Sequence, residues 1–285
     1  MRYGLLGGGK RLRPCLTLAT AEAVAERNGA SVDAAREAAL PAACALEFIH
    51  SYSLVHDDLP AMDDDVLRRG RPTTHVVHGD GMAVLAGDGL LTHAFSLLAE
   101  SRPSRSRSRG PSGPRESDDS RRLRAIAVLA RTAGADGMVG GQAIDLIAAG
   151  KVKSHPATPA DAATLRDMHA RKTGALLRAA ATLGAIMADA DDTTVAAVDN
   201  YATELGLAFQ IVDDILDVES SDQTLGKTAG KDAAAGKPTY PSLYGLEQSK
   251  QLAADCIRRA KTALVSASLG GLLPEIADLT ISRKS

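Results

Sequence analysis

"YSLVHDDLPAMDDDVLRRG", residues 52–70, places five aspartates within nine positions, behind an apolar run and just ahead of two arginines. Carboxylates this close repel one another and lower the stability of a folded chain unless positive charge lies among them. Pro60 stands between the aspartates and cannot donate a helical hydrogen bond, so a helix that arrives from the apolar run should be disturbed there. We therefore expect this stretch to end a helix beside a source of positive charge.

The composition of the 285 residues argues against several classes of protein. A net charge of -2 gives no sign of binding to nucleic acid or to an anionic membrane surface. Cys15, Cys44 and Cys256 lack CxxC spacing, which argues against a disulfide framework or a zinc site and fits a reducing cytoplasm. The first residues lack the apolar segment of a signal peptide, and no apolar run is long enough for stable membrane insertion. We expect a cytoplasmic protein.

Helical periodicity dominates the chain. Stretches such as "RRLRAIAVLARTAG" (121–134) and "GALLRAAATLGAIMA" (174–188) repeat apolar residues at positions i, i+3 and i+4, and no stretch alternates apolar and polar residues for long. The pattern predicts an all-α bundle in which residues 1–285 form a single domain, and the alanine-rich helix faces predict close packing.

Residues 101–120, "SRPSRSRSRGPSGPRESDDS", have almost nothing to bury. They are predicted to form a mobile surface loop between helices. A nucleic-acid-binding or phosphorylated segment is the alternative, but an Arg/Ser run without interleaved aromatic residues is weak evidence for binding.

A second acidic cluster lies in "FQIVDDILDV", residues 209–218. On a helix, Asp213 and Asp217 lie one above the other at i and i+4, and Gln210 joins that face at i-3. Their neighbours are apolar, so the helix should be largely buried, and no Lys or Arg lies within a turn. Buried carboxylates must protonate, pair with a base or hold a cation, and carboxylate oxygens of this kind suit Mg²⁺.

The first cluster has less regular spacing. Asp57 and Asp63 are six residues apart, which an ideal helix places about 120° from one another around its axis. Two residues looped out near Pro60 would return Asp63 to an i+4-like position, so we expect Asp57 and Asp63 to share a metal with Asp58 adjacent. His50 lies on the same helix stripe as Asp57, at i and i+7. Either cluster alone could be a helix cap or a solvated acidic face.

Several basic residues are placed as a diphosphate-binding protein would need them, because Lys and Arg side chains complement phosphate oxygens. They are Lys10, Arg13, Arg68, Arg69, Lys172, Lys227 and Lys237. Each alone is an ordinary surface charge. Together with two possible metal clusters they indicate a large anionic substrate with two diphosphates.

The chain closely resembles the trans-isoprenyl diphosphate synthases, specifically the bacterial-type farnesyl/geranylgeranyl diphosphate synthase branch. The motifs that carry the resemblance occur in family order: "GGKRLRP", "EFIHSYSLVHDDLPAMDDDVLRRGRPTTH", "LAGDGLL", "GMVGGQAIDL", "HARKTGALLRAA", "AFQIVDDILDV" and "LGKTAGKDAAAGKPTYPSL". The family's two aspartate-rich motifs fall on Asp57, Asp58 and Asp63 and on Asp213, Asp214 and Asp217. The resemblance implies an antiparallel helical bundle with a central cavity, and a homodimer.

The resemblance also implies roles for individual residues. Three Mg²⁺ ions would bridge both aspartate motifs to the allylic diphosphate, which Arg68, Lys172, Lys227 and Lys237 would also hold. Lys10, Arg13, His50 and Arg69 would hold the diphosphate of isopentenyl diphosphate. Thr173 and Gln210 would lie near the developing allylic cation. Gln142 and Asp145 would hold the ligand-binding side chains in place without touching the ligands themselves. Catalysis itself is expected to involve Asp57, Asp58, Asp63, Lys172, Thr173, Gln210 and Asp213. Asp64 and Asp65 are expected to pair with nearby basic residues.

Product length should depend on Tyr52 and Ser53, because family members use the residues just before the first motif as the floor of the product tunnel. Tyr52 lies about 7.5 Å along the helix from Asp57. An aromatic residue there favours farnesyl diphosphate (C15), whereas a small residue would allow geranylgeranyl diphosphate (C20). Plain core packing is the alternative role for Tyr52.

Three other functions are weaker. A terpene cyclase would carry a different second metal motif from "DDILD", and an HD-type phosphohydrolase would leave that motif unexplained. A non-catalytic partner subunit would typically have lost aspartates that this chain retains. Family members usually carry helical sequence before "GGKRLRP", so we expect this chain to lack the family's N-terminal helix.

Overall fold

The computed structural model describes residues 1–101, 117–155, 161–221 and 239–283, except for the side chains of Ser220 and Ser221. The prediction of an all-α protein is confirmed. In the described residues the chain forms helices α1 (Arg2–Leu5), α2 (Leu12–Arg27), α3 (Val32–Asp57), α4 (Thr74–His78), α5 (Asp80–Ala99), α6 (Asp118–Ala133), α7 (Met138–Ala148), α8 (Ala162–His169), α9 (Ala175–Met187), α10 (Asp192–Ser221), α11 (Tyr240–Tyr244), α12 (Leu246–Ser266) and α13 (Leu273–Ser282), with a π-helical segment, Ala170–Gly174, between α8 and α9. The described strands, β1 (Leu67–Arg68) and β2 (Arg71–Pro72), form one antiparallel hairpin.

The chain divides into two compact units, which are Met1–Ala130 with Ala180–Asp191, and Arg131–Ala179 with Asp192–Ser285. That residues 1–285 form a single domain stays a prediction. The greater part of the Arg/Ser segment, residues 102–116, lies outside the described residues, so the prediction of a mobile loop also stays a prediction.

In the first unit, α3 packs between α2 and α5. Helix α3 begins where the Ser31 side chain accepts a hydrogen bond from the Ala34 amide at 3.3 Å, which satisfies one of the unpaired donors at the helix start. Five of its ten buried residues are alanines, and Leu46 and Ile49 are fully buried. Small side chains allow helices to approach closely. A Cβ added to Gly184 would collide with the Thr17 carbonyl oxygen, as close packing predicts.

In the second unit, α10 is the central element and packs against α12, α13 and the π-helical segment. Tyr201, in α10, is fully buried and donates its hydroxyl hydrogen to the Leu273 carbonyl oxygen at 2.8 Å, so the ring packs in the core while its polar end is satisfied. At Gly206, an added Cβ would lie 3.1 Å from the Cα of Gly174. Helix α10 therefore lies directly against the π-helical segment.

Helices α3 and α5 are long and apolar enough to span a membrane by length and composition alone. Half of the apolar window in α3 is buried within the chain, and 28% of the window in α5. Core helices of water-soluble proteins have the same length and composition, so these two helices are weak evidence for a membrane span.

Candidate active site

The first aspartate motif lies where α3 ends. The helix stops at Asp57, and the Asp63 amide donates to the Asp57 carbonyl oxygen at 2.9 Å. An ordinary helical turn would join residues four apart. Here two additional residues loop out around Pro60, as the spacing predicted. The main chain therefore returns Asp63 to the end of the helix that carries Asp57.

Asp58, the second aspartate, is buried and paired. It is 3% exposed, and Arg68 Nε donates to its Oδ1 at 2.6 Å. Arg68 comes from strand β1 and also lies 3.7 Å from an Asp65 oxygen, so the expected basic partner of Asp65 is present. Burial raises the pKa of Asp58, and the charge and hydrogen bond of Arg68 oppose that rise. Arg68, which belongs to residues 52–70 itself, therefore supplies part of the positive charge that this acidic stretch requires.

A group of basic residues lies beside this motif. Burial is the largest cause that lowers the pKa of His50, to about 2, and the charges of Arg13, Arg69 and Arg68 lower it further. His50 therefore stays neutral and can offer one N–H donor, while the arginines carry the positive charge. Arg69 donates to the carbonyl oxygen of Gly8, in the glycine-rich segment before α2. The structure thus brings together Arg13, His50 and Arg69, as the diphosphate prediction requires.

Sequence reasoning missed Arg11 in this group. Arg11 has a left-handed main chain with φ of 53°, and its side chain pairs with Glu47 on α3 and donates to the Leu5 carbonyl oxygen at 3.0 Å. Arg11 therefore ties the glycine-rich segment to α3. Its position next to Lys10 was the available signal, whereas Lys10 itself is exposed.

A small, open cleft lies beside Asp58. Three arginines line it, Arg68, Arg69 and Arg71, together with Tyr3 from α1. Arg71 lies over the Tyr3 ring at 4.9 Å from its centre, and the Tyr3 hydroxyl donates to the Pro72 carbonyl oxygen at 2.7 Å. The hairpin and α1 thus form a basic cleft next to the first aspartate motif.

The second aspartate motif lies in the last third of α10, in the other unit. Asp214 is 5% exposed and accepts hydrogen bonds from Gln210 Nε2 at 3.1 Å and from the Tyr240 amide at 2.9 Å. Asp213 is 43% exposed at its side chain and pairs with Arg283 at 2.7 Å. No basic residue was expected within a turn of this motif, and its partner Arg283 is remote in sequence. Burial lowers the pKa of Arg283, and the nearby Asp213 opposes that shift.

Lys172 and Thr173 lie in the π-helical segment, a form of helix that is rare and frequent at functional sites. Lys172 Nζ donates to Asp145 Oδ2 at 2.5 Å, and the Asp145 side chain is 8% exposed. The backbone of Gly141, on α7, lies so close to Lys172 that an added Cβ would collide with the Lys172 main chain. The Nε2 atom of the neighbouring Gln142 is buried and makes no hydrogen bond within the described part of the chain. Helix α7 thus holds the Lys172 side chain in place through Asp145.

The predicted metal ligands fit magnesium by their chemistry, because Mg²⁺ prefers carboxylate oxygens and keeps several waters and phosphate oxygens. Within the residues that the structure describes, no three His, Cys, Asp or Glu side chains converge to hold a metal by themselves. Among the predicted ligands, Asp58 contacts Arg68 and Asp213 contacts Arg283. Lys227 and Lys237 lie outside the described residues.

Tyr52 lies one and a half turns before the first motif and is 7% exposed. Its ring meets the His56 ring edge to face, with 5.7 Å between the ring centres. Burial raises the pKa of Tyr52 to about 12, and Asp57 adds to that rise. Ser53 donates its hydroxyl to the His50 carbonyl oxygen at 2.9 Å. On the facing helix, a Cβ added to Gly87 would collide with the His56 ring. Tyr52 thus sits in a tightly packed aromatic environment below Asp57.

Comparisons with known proteins show the family to which this chain belongs. A family model described as polyprenyl synthetase matches residues 1–267. A farnesyl diphosphate synthase of Geobacillus stearothermophilus is 43% identical over 289 residues, covering 99% of this chain and 87% of the relative. A geranylgeranyl diphosphate synthase of Cyanophora paradoxa is 41% identical over 286 residues, covering 100% and 87%. The crystal structure of an FPP/GFPP synthase from Zymomonas mobilis has a TM-score of 0.75 and 36% identity, covering 99% of this chain and 88% of that one.

Proposed function

Because the chain belongs to the polyprenyl synthetase family and is a prenyltransferase of the trans-isoprenyl diphosphate synthase type, we propose that it condenses isopentenyl diphosphate with an allylic diphosphate to farnesyl diphosphate. The allylic substrate is dimethylallyl or geranyl diphosphate, and the condensation is head to tail. We propose the C15 product because Tyr52, just before the first aspartate motif, is buried. Relatives that are named geranylgeranyl diphosphate synthases favour C20 as the second candidate.

The two motifs and the basic residues suit the leaving group of this reaction. Asp57, Asp63 and Asp213 would hold magnesium, and Lys172 would donate to the diphosphate of the allylic substrate. The three ions that the resemblance implies would, when bound, neutralise the charge that develops on the departing diphosphate. Asp145 keeps Lys172 in place, since its carboxylate contacts Nζ at 2.5 Å. Lys227 and Lys237 are proposed to contribute to the same diphosphate.

The bond changes of the proposed condensation are the following. The C1–O bond of the allylic substrate breaks, and the diphosphate leaves with the electron pair. The double bond of isopentenyl diphosphate then attacks C1, and the proton lost from the adduct passes to the released diphosphate. Arg13, Arg69 and the neutral His50 would hold the second diphosphate. Thr173 and Gln210 are proposed to face the allylic cation with oxygen atoms, which would stabilise it while water is excluded.

Tyr52 is proposed to stop chain growth. The ring is 7% exposed and packs edge to face on His56, so it cannot turn aside without displacing a neighbour. Ser53, next to it, is less buried and already donates to the His50 carbonyl oxygen. A product that lengthens from the metal site toward Tyr52 would therefore meet a rigid wall.

A product assay tests both the proposed condensation and the proposed length of its product. The purified protein is incubated with isopentenyl diphosphate and geranyl diphosphate, with and without Mg²⁺, and the dephosphorylated alcohols are identified by mass spectrometry. We expect magnesium-dependent farnesol from the native protein, and additional geranylgeraniol or longer alcohols from Tyr52→Ala. Tyr52→Phe is the matched control, because it keeps the ring and removes only the hydroxyl, and it should still give farnesol. Geranylgeraniol from the native protein would contradict the C15 product, and no condensation would contradict the reaction itself.

We also propose that the chain forms a homodimer in the cytoplasm. Helix α5 has a mean hydropathy of 1.4 over its apolar window, yet only 28% of that window is buried within the chain. Met82 and Leu85 are 58% and 63% exposed, which is unfavourable for a helix that faces water. We therefore propose that this face of α5 contacts the second copy. Light scattering should give twice the mass of the 29.5 kDa chain, and a monomer would exclude α5 as a contact between two copies.

A further inference from the structure

Arg283 follows helix α13 and returns to the second aspartate motif in α10. Its Nη2 donates to Asp213 Oδ1 at 2.7 Å and to the carbonyl oxygen of Phe209 at 2.6 Å. The guanidinium carbon lies 3.7 Å from the centre of the Phe209 ring. An ion pair, a main-chain hydrogen bond and a cation–π contact therefore hold one guanidinium over one turn of α10.

This ion pair differs from the surface ion pairs of the same unit. The Arg283 side chain is 14% exposed, whereas Lys261 and Asp278, which also pair, are 38% and 57% exposed. Exposed pairs contribute little, because water screens the charges. A guanidinium that is mostly buried cannot lose its proton and needs an anion beside it. Asp213 supplies that anion, although it is itself 43% exposed and so remains accessible to a ligand.

We propose that Arg283 is a positioning residue that weakens the binding of metal alone at Asp213 and favours metal that arrives with a diphosphate. This inference rests on the proposed function, in which Asp213 is a metal ligand. Arg283 itself need not touch the metal. It acts through the carboxylate that it holds.

The charges of the second aspartate motif explain why Arg283 would weaken the binding of metal alone and favour the binding of metal together with a diphosphate. The three aspartates carry up to three negative charges, and Arg283 offsets one of them. A less negative motif attracts a divalent cation less strongly, and it also repels an incoming diphosphate less strongly. A diphosphate could in addition accept a hydrogen bond from the part of the guanidinium that remains accessible, because the Arg283 side chain is 14% exposed. Removing Arg283 should therefore move the two affinities in opposite directions.

The first measurement is the binding of Mn²⁺ to the protein without any diphosphate, followed by the electron paramagnetic resonance signal of free Mn²⁺. For Arg283→Gln we expect Mn²⁺ to bind about three- to tenfold more tightly than to the native protein, as coupling between contacting charges would give. Arg283→Lys keeps the charge and should stay close to the native affinity. Unchanged or weaker binding of Mn²⁺ to Arg283→Gln would overturn the proposal.

The second measurement is the binding of radiolabelled inorganic diphosphate at a fixed, saturating Mn²⁺ concentration, by equilibrium dialysis. Arg283→Gln should lose affinity about three- to tenfold, and Arg283→Lys should recover part of it. Arg258→Gln is the matched control, because Arg258 lies in the same unit and is 70% exposed in its pair with Asp255. A loss of equal size in Arg258→Gln would show a general charge effect and contradict a specific role for Arg283.

Two further variants separate this inference from the proposed function. Asp213→Asn should bind Mn²⁺ more weakly than the native protein, and adding Arg283→Gln to it should then change little. If Asp213→Asn leaves Mn²⁺ binding unchanged, the metal assignment of the proposed function is wrong. If Asp213→Asn weakens binding but Arg283→Gln has no effect, only the role of Arg283 is wrong. Phe209→Leu removes the ring and keeps the charge, so it should leave Mn²⁺ affinity near the native value even if stability falls.

Discussion

At the end of α3, the buried Asp58 accepts a hydrogen bond from Arg68, ten residues further along the chain. In the last third of α10, the half-exposed Asp213 instead pairs with the remote Arg283. The first pair belongs to a turn and hairpin that begin where a helix is broken, and the second joins an unbroken helix to the end of another. Two motifs with the same residue type therefore obtain their positive charge in different ways. The first does so locally, and the second depends on the folded second unit.

The largest expected effect is on catalysis. Asp57→Ala and Asp213→Ala should each lower kcat by about 10²- to 10³-fold, because each removes charge that stabilises the departing diphosphate. Steady-state rates with geranyl and isopentenyl diphosphate at saturating Mg²⁺ measure this. Asp278→Asn, in an exposed pair with Lys261, is the control and should stay within about twofold of the native rate. If only one of the two substitutions lowered kcat, the two motifs would not act on the same departing diphosphate. The comparison between them would then fail.

A smaller effect concerns stability and sharpens the same comparison. Arg68→Gln leaves the Asp58 carboxylate buried and without its charged partner, which should lower the free energy of unfolding by about 2 kcal/mol. Arg283→Gln leaves a carboxylate that water can reach, so the loss should be about 1 kcal/mol, mainly from the Phe209 contact. Urea unfolding at pH 7 measures both values. A larger loss for Arg283→Gln would reverse the order that burial predicts.

A further effect is a dependence of stability on pH that arises beside the first motif. His50 has a folded pKa of about 2, far below its ordinary value, so below about pH 6.5 the unfolded chain takes up a proton that the folded chain does not. Stability due to a neutral His50 is therefore present above that pH and is lost as the pH falls. The loss should reach up to about 1.4 kcal/mol per pH unit between pH 6.5 and 4.5.

His50→Gln provides the matched measurement for this dependence. Glutamine does not titrate, so the free energy of unfolding of His50→Gln should fall less steeply with acid over the same range. Urea unfolding at pH 4.5, 5.5, 6.5 and 7.5 gives the two slopes. Equal slopes would mean that His50 is protonated in the folded protein, and the arrangement of arginines around a neutral imidazole would be wrong.

How far the sequence predicts the molecule differs between the two motifs for a physical reason. Helical periodicity and Pro60 predicted the all-α fold and the broken helix end, because both depend on interactions within a few residues. The pairing of Asp65 with Arg68 was predictable in the same way, as the two lie within one turn of chain. The contacts of Arg283 with α10 and of Arg11 with Glu47 were not predicted, because their partners are distant in sequence and leave no local pattern. Roles taken from family motifs, such as the metal ligands, remain predictions.

The π-helical segment Ala170–Gly174 has a consequence for changes in chain length. A residue advances an α-helix by about 100°, and a π-type turn accommodates one residue more than an α-type turn. Removing one residue from this segment would therefore restore ordinary winding and leave the later positions of α9 facing nearly the same way. Removing one residue within α9 itself would rotate every later position by about 100°, because no such turn absorbs the change. The fully buried Leu183 would then leave the core. We therefore expect the chain to tolerate a change of one residue better in the π-helical segment than in α9.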